Sequence, residues 1–166
     1  MFVLARALTY ATLFVGFLLV FLPGRVLVAA GVGPPERFGL AQGAGLLLGG
    51  AGAALALGSI LAFVTLGRGT PAPFDPPRRL VVRGPYAWLR NPMYLGAGAA
   101  LGGAALYYES LPLLAYAVAF LLAMHLTAVG YEEPALRATF GAAYAEYCRD
   151  VGRWLPRRRR SVRVRR

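Results

Sequence analysis

Residues 38–66 read FGLAQGAGLLLGGAGAALALGSILAFVTL, 29 residues without one charged side chain. A helix needs roughly 20 apolar residues to cross a hydrocarbon core, so this stretch predicts a membrane span. The rest of the chain agrees. Of its 166 residues 58% are hydrophobic, with a mean hydropathy of +0.55. A soluble domain of this size has too little interior for that much apolar surface. Three more stretches read as spans. The first covers residues 8–22 and extends toward Ala30 with a break at Pro23-Gly24-Arg25. The others cover 93–108 and 111–131. Glu109, Ser110 and Pro112 mark a tight turn, so the last two spans form a helical hairpin. The first apolar segment reads as a retained span rather than a cleaved signal peptide.

The arginines orient these spans. All 18 basic residues are arginine. Arg25 and Arg37 lie on one side. Arg6, Arg68, Arg78, Arg79, Arg83, Arg90 and the ten beyond residue 131 lie on the other. The excess of positive charge marks the cytoplasmic side. Both termini and the loop 67–92 are therefore expected there, which suits a prokaryotic cytoplasmic membrane. The expected fold is all-α: a polytopic membrane helix bundle of four transmembrane helices with a cytoplasmic cap. A fifth helix is added if residues 23–37 form a short one. The loop is broken by Pro71, Pro73, Pro76, Pro77 and Pro85 and reads as irregular. Residues 132–155 read as a helical cap, with Phe140, Tyr144, Tyr147 and Val151 on one face and Arg137, Glu146, Arg149 and Arg153 on the other.

One cysteine, Cys148, and one histidine, His125, exclude an intrachain disulfide framework and make a metal site unexpected. Residues 157–166 hold seven arginines, two valines and a serine. This tail reads as an anchor to anionic lipid headgroups rather than as a nucleic-acid arm. The glycines Gly43, Gly45, Gly49, Gly50, Gly52 and Gly58, and then Gly96, Gly98, Gly102 and Gly103, read as close helix packing. A groove beside Gly49 and Gly52, admitting an apolar acceptor from the inner leaflet, is the bolder expectation.

The polar chemistry gathers in residues 83–96 and 132–156. Asn91 before Pro92 suits a helix N-cap with proline at the first helical position. The helix that starts there aims free N–H groups at the loop, a favourable place for an anion. Gly96, one turn in, would let a ligand approach the backbone, and Tyr94 and Trp88 offer flat surfaces. Glu132 and Glu133 follow the fourth span, and the hairpin returns them beside that helix start. A ligand anionic at one end and cationic at the other would fit. The plainer reading pairs both carboxylates with Arg90 or Arg137. His125, within the fourth span, is an intramembrane ionisable residue and so a functional candidate, with a helix-to-helix hydrogen bond the plainer role.

The segments Gly84-Pro85-Tyr86, Arg90-Asn91-Pro92-x-Tyr94-x-Gly96, Glu132-Glu133-x-x-Leu136, Phe140-Gly141-x-x-Tyr144-x-x-Tyr147 and Arg153-Trp154-Leu155-Pro156 together resemble the integral membrane methyltransferases. That superfamily includes the isoprenylcysteine carboxyl methyltransferases and the phospholipid methyltransferases. The likeness covers residues 68–156, and asparagine stands at position 91 where many members have histidine. It implies a single domain, with N-terminal transmembrane helices in 1–66, a catalytic region in 67–156 and the basic tail 157–166. It also implies S-adenosyl-L-methionine as methyl donor, S-adenosyl-L-homocysteine as product and a lipid-like acceptor, which is an isoprenylcysteine-like carboxylate, a lipid amine or a hydrophobic thiol. The implied cofactor-binding residues are Tyr86, Arg90, Asn91, Pro92, Tyr94, Gly96, Glu132, Glu133, Tyr144 and Tyr147. The donor's carboxylate would lie at the Pro92 helix start, its ammonium near Glu132 or Glu133, and its adenine against Tyr94, Tyr144 or Tyr147. Glu133 is a candidate base for an amine acceptor, and Arg149 or Arg153 a candidate cation for a carboxylate acceptor. A nicotinamide-dependent membrane reductase resembling the sterol reductases and a non-enzymatic scaffold are the competing readings. The short chain and the Glu-Glu pair favour methyl transfer.

Overall fold

The computed structural model describes residues 15–67 and 79–157, and its regular elements are helical. The start of the first span with Arg6, the proline-rich part of the loop with Arg68 and Arg78, and the tail beyond Arg157 lie outside the described residues. A π-helical segment, Val15–Phe21, runs directly into α1, Leu22–Ala29. The break expected at Pro23-Gly24-Arg25 is absent. Pro23 has no N–H to donate back into this run, and the Leu18 carbonyl one turn before it accepts instead from the Tyr116 hydroxyl at 2.7 Å. No separate helix follows before α2, Leu40–Ala62, which closes in a π turn, Phe63–Gly67. A 3₁₀ turn at Gly84–Ala87 precedes α3, Pro92–Tyr107. Next comes α4, Leu111–Thr127, joined through a π turn, Ala128–Glu132, to α5, Glu133–Asp150. The turn between α3 and α4 is built as the sequence suggests. Glu109 adopts φ 49°, and the Ser110 hydroxyl caps α4 by accepting from Leu113 N at 3.3 Å.

Two helical runs among the described residues are long and apolar enough to cross a membrane, Leu40–Gly67 and Leu111–Asp150. Val15–Ala29 is a shorter apolar run. Only 11% of the most apolar part of the first is buried inside the protein, and Leu46, Leu47, Leu57 and Leu61 point outward. A soluble core helix would hide such side chains. Their exposure fits lipid contact and marks the chain as membrane-associated.

The helices pack in the spatial order α1, α4, α3, α2. The α2–α3 seam explains the glycines. A Cβ on Gly52 would stand 2.5 Å from Ala100 N and 2.6 Å from Gly96 O. On Gly103 it would stand 2.3 Å from Gly49 N, and on Gly45 2.6 Å from Gly103 O. The backbones touch, as small residues permit in lipid. The groove expected beside Gly49 and Gly52 is therefore filled by α3. Gly50 and Gly58 face open space instead. Gln42 ties the far end of this seam. Its Oε1 accepts from Gly39 N at 2.9 Å, and its Nε2 donates to the Tyr107 carbonyl at 3.2 Å. Tyr94, Ala97, Leu101, Ala117, Phe120 and Met124 form the core between α3 and α4.

Candidate functional site

The end of α4 returns the π turn and α5 to the start of α3, and the two polar segments meet there. Glu133 opens α5 and is buried, 6% exposed. Its carboxylate gathers three arginines. Arg90 Nη1 donates to Oε1 at 3.0 Å. Arg153 donates from Nε to Oε1 at 2.6 Å and from Nη2 to Oε2 at 3.0 Å, a two-pronged grip. Arg137 Nη2 stands 3.8 Å from Oε2, itself largely exposed. By accepting from Arg153, Glu133 raises that guanidinium further above its already high ordinary value. Sequence periodicity places Arg153 on the outer face of the cap helix. The helix instead ends at Asp150 and Val151 turns extended (φ −116°, ψ 127°), so Arg153 folds back to the site.

Glu132 has a different neighbourhood. Its Oε1 accepts from the Tyr94 hydroxyl, and among the described residues no arginine pairs with it. Arg90, from the first polar segment, also reaches the second by donating from Nη1 to Cys148 Sγ at 3.0 Å. The strand-like pieces on either side are joined by backbone. Leu89 and Gly152 form an isolated parallel bridge, Arg90 N donates to Gly152 O at 2.9 Å, and Asn91 N donates to Arg153 O at 3.3 Å.

Asn91 stands at the N-cap of α3, but its side chain makes no capping bond. Its Nδ2, like Arg90 Nε, is buried with no hydrogen-bond partner. Buried unpaired donors are costly, about 1–3 kcal/mol each. Two such donors beside a helix start, flanked by arginines, form an acceptor-seeking corner. The donor set fits a carboxylate. Pro92 is fully buried at the first turn. Gly96 is not open to a ligand, because its missing side chain makes room for Ala56 and Gly52 of α2, each 2.6 Å from a Cβ built there.

The aromatic residues lie inward. Tyr144, Tyr147 and Val151 form the buried core of the cap, with Leu80, Leu136, Phe140 and Cys148 around it. The Tyr147 hydroxyl donates to Tyr86 O at 2.7 Å, which fixes the 3₁₀ turn to α5. Burial, and after it the Glu132 carboxylate, pushes the Tyr86 phenol above its ordinary value. Arg149 and Trp88 are exposed and stand apart from the cluster. Three contributors escape sequence reasoning: Cys148, Gly152 and the pairing of Trp154 Nε1 with His125 Nδ1 at 3.1 Å. Trp154 lies inside the quoted Arg-Trp-Leu-Pro segment, and that position is the one signal that pointed to it.

A family model described as phospholipid methyltransferase matches residues 40–143. This span takes in the α2–α3 seam, the α3–α4 hairpin, Arg90, Asn91, Glu132 and Glu133. No curated protein and no solved structure matches the chain.

Proposed function

Because the chain belongs to the phospholipid methyltransferase family, we propose that it transfers a methyl group from S-adenosyl-L-methionine to a lipid-like acceptor at the cytoplasmic membrane face. The observation that supports this most is the meeting of Arg90 and Asn91, with their unpaired buried N–H groups, and Glu132, which pairs with no arginine among the described residues. That pair of opposite charges suits the amino-acid end of the donor.

Arg90, Asn91 and the first turn of α3 would hold the donor's carboxylate, and Glu132 its ammonium. Tyr144 and Tyr147 are enclosed in their own core, so of the expected aromatic residues Tyr94, bonded to Glu132, is the one whose edge would meet its adenine. When bound, the donor supplies a methyl group already activated by a sulfonium, so the protein's task is positioning and exclusion of water. Glu133 serves this task as the anchor of Arg90 and Arg153. With three arginines around it, its ionised form is stabilised, which suits an anchor better than a base. Arg153 then positions Glu133 and the Asn91 peptide, and Arg149 stays at the surface. The arginine asymmetry supports four spans with both termini cytoplasmic and a tail held to anionic headgroups.

Calorimetry in detergent tests this. S-adenosyl-L-methionine and S-adenosyl-L-homocysteine are expected to bind at the micromolar level, about −8 kcal/mol, and a reduced nicotinamide not at all. Glu132→Gln is expected to weaken binding about tenfold, near 1.4 kcal/mol, while exposed Glu146→Gln leaves it unchanged. Absence of binding by both adenosyl compounds, or equal effects of the two substitutions, would overturn the proposal.

A further inference from the structure

Three consecutive residues beyond α5 each reach a different element. Gly152 O accepts from Arg90 N, ahead of α3. Arg153 accepts from Asn91 N through its carbonyl and grips Glu133, the first residue of α5, through its guanidinium. Trp154 donates to His125 Nδ1, in the last two turns of α4, and its ring packs against the α3–α4 core that contains Tyr94 and Met124. Gly152 has no room for a side chain, since a Cβ there would lie 1.9 Å from Leu155 O. The segment is thus folded tightly on itself and tied at three points.

We propose that His125 is a positioning residue. It anchors Trp154, and the Gly152–Trp154 clasp in turn sets Arg153 on Glu133 and fixes the Arg90–Asn91 peptide that faces the cofactor. The consequence for cofactor affinity rests on the reading of the site given above; the clasp itself does not. Accepting at Nδ1 puts the imidazole proton on Nε2, so the ring meets the indole N–H with a lone pair. Arginine carries large side-chain entropy, and a guanidinium placed from both its backbone and the next residue loses less on pairing. Without the Trp154 anchor, Arg153 leaves Glu133, and Arg90 Nη1 is drawn wholly to Glu133 and away from Cys148 Sγ, which it now shares. Cys148 is the one thiol in the chain, half-buried beside that contact, and so reports the state of the clasp directly.

The full-length protein in detergent provides two readings: the rate at which a maleimide alkylates Cys148 without ligand, and the calorimetric Kd for S-adenosyl-L-methionine. His125→Leu removes the acceptor, His125→Gln keeps one, and Trp154→Phe keeps a ring without its N–H. His125→Leu and Trp154→Phe are each expected to speed alkylation and weaken binding about fivefold, the equivalent of one hydrogen bond's net contribution. The double variant is expected to be no worse than either single, and His125→Gln to stay close to wild type in both readings. Unchanged alkylation in both single variants, additive losses in the double, or a His125→Gln as impaired as His125→Leu would overturn the proposal. Faster alkylation with unchanged affinity would overturn the positioning role. If His125→Leu fails to fold, Trp154→Phe decides alone. A wild-type protein that binds no donor refutes the proposed function, while the alkylation rates still decide the clasp.

Discussion

Adding one methyl group to a glycine is expected to have opposite effects on the two faces of α2 and its partner. At Gly103 a Cβ would lie 2.3 Å from Gly49 N and 2.6 Å from both Gly45 O and Gly49 Cα. Comfortable contact between such atoms is about 3.5–4 Å, so α2 and α3 must part by roughly 1 Å. Overfilling a packed seam costs about 1–3 kcal/mol, and backbone neighbours, which cannot swing aside, put Gly103→Ala near the top of that range. The preference of a helix for alanine over glycine returns about 0.5–1 kcal/mol. The net loss is about 2 kcal/mol. At Gly50 a Cβ meets nothing within 4 Å, so Gly50→Ala keeps only the helical gain. At about 2–4 °C per kcal/mol for a chain of this length, Gly103→Ala should lower Tm by roughly 4–8 °C and Gly50→Ala should raise it slightly. Thermal unfolding in detergent, followed by tryptophan fluorescence, measures both. The ring of Phe63, just beyond α2, lies 6.2 Å from that of Tyr86 at a tilt of 51°, so cofactor affinity should fall with the seam. A Gly103→Ala variant melting at or above wild type, or a Gly50→Ala that falls as far, would refute the close-contact argument.

Glu133→Gln should be the most damaging change in the site. It leaves Arg90, whose side chain is 10% exposed, without its counter-charge, and breaking a buried ion pair costs about 3–5 kcal/mol. A loss below about 1 kcal/mol in chemical denaturation, the scale of a surface pair, would show that the cluster is solvated. Gln42→Leu should cost about 1–3 kcal/mol through the orphaned Tyr107 carbonyl, with donor affinity unchanged because Gln42 lies at the opposite end of the seam. A shift in Kd by calorimetry would contradict that separation. For orientation, a cysteine at Pro34 should react with an impermeant maleimide from outside intact cells and one at Leu155 should not, in a background lacking Cys148; the reverse pattern would invert the topology.

Elements that depend on local chemistry were legible from residues alone. Charge-free length revealed α2, and the turn residues Glu109 and Ser110 revealed the α3–α4 hairpin. Spacing of Tyr144 and Tyr147 revealed the buried face of α5, while Phe140 precedes a kink at Gly141 and Val151 lies just past the helix end. What periodicity does not carry is the identity of the partner across the interface. Gly96 and Gly52 look alike to a helical wheel whether a ligand or a backbone fills their space, and here each fills the other's. Arg153 belongs to the outer face of α5 only if the helix continues, and it stops three residues earlier. Asn91 occupies a capping position without capping, because a local rule yields there to backbone pairing with Arg153. Glu132 and Glu133, adjacent in sequence, differ through distant partners: Tyr94 for one, Arg90 and Arg153 for the other.

The π turn at Ala128–Glu132 gives the chain a counting rule at this place. Each hydrogen bond of such a turn spans one residue more than in an α-helix, and every residue of a regular helix advances the azimuth by roughly 100°. The turn already absorbs one extra residue, so inserting a second, after Val129 for example, would swing everything downstream by about that angle. Glu133 would leave Arg90, and Tyr147 would leave the Tyr86 carbonyl, although no side chain of the site had been altered. The same insertion between residues 30 and 39, where the chain is irregular, would be absorbed without rotating any helix. Chain length across these five residues is therefore as much a part of the site as the carboxylates it aims.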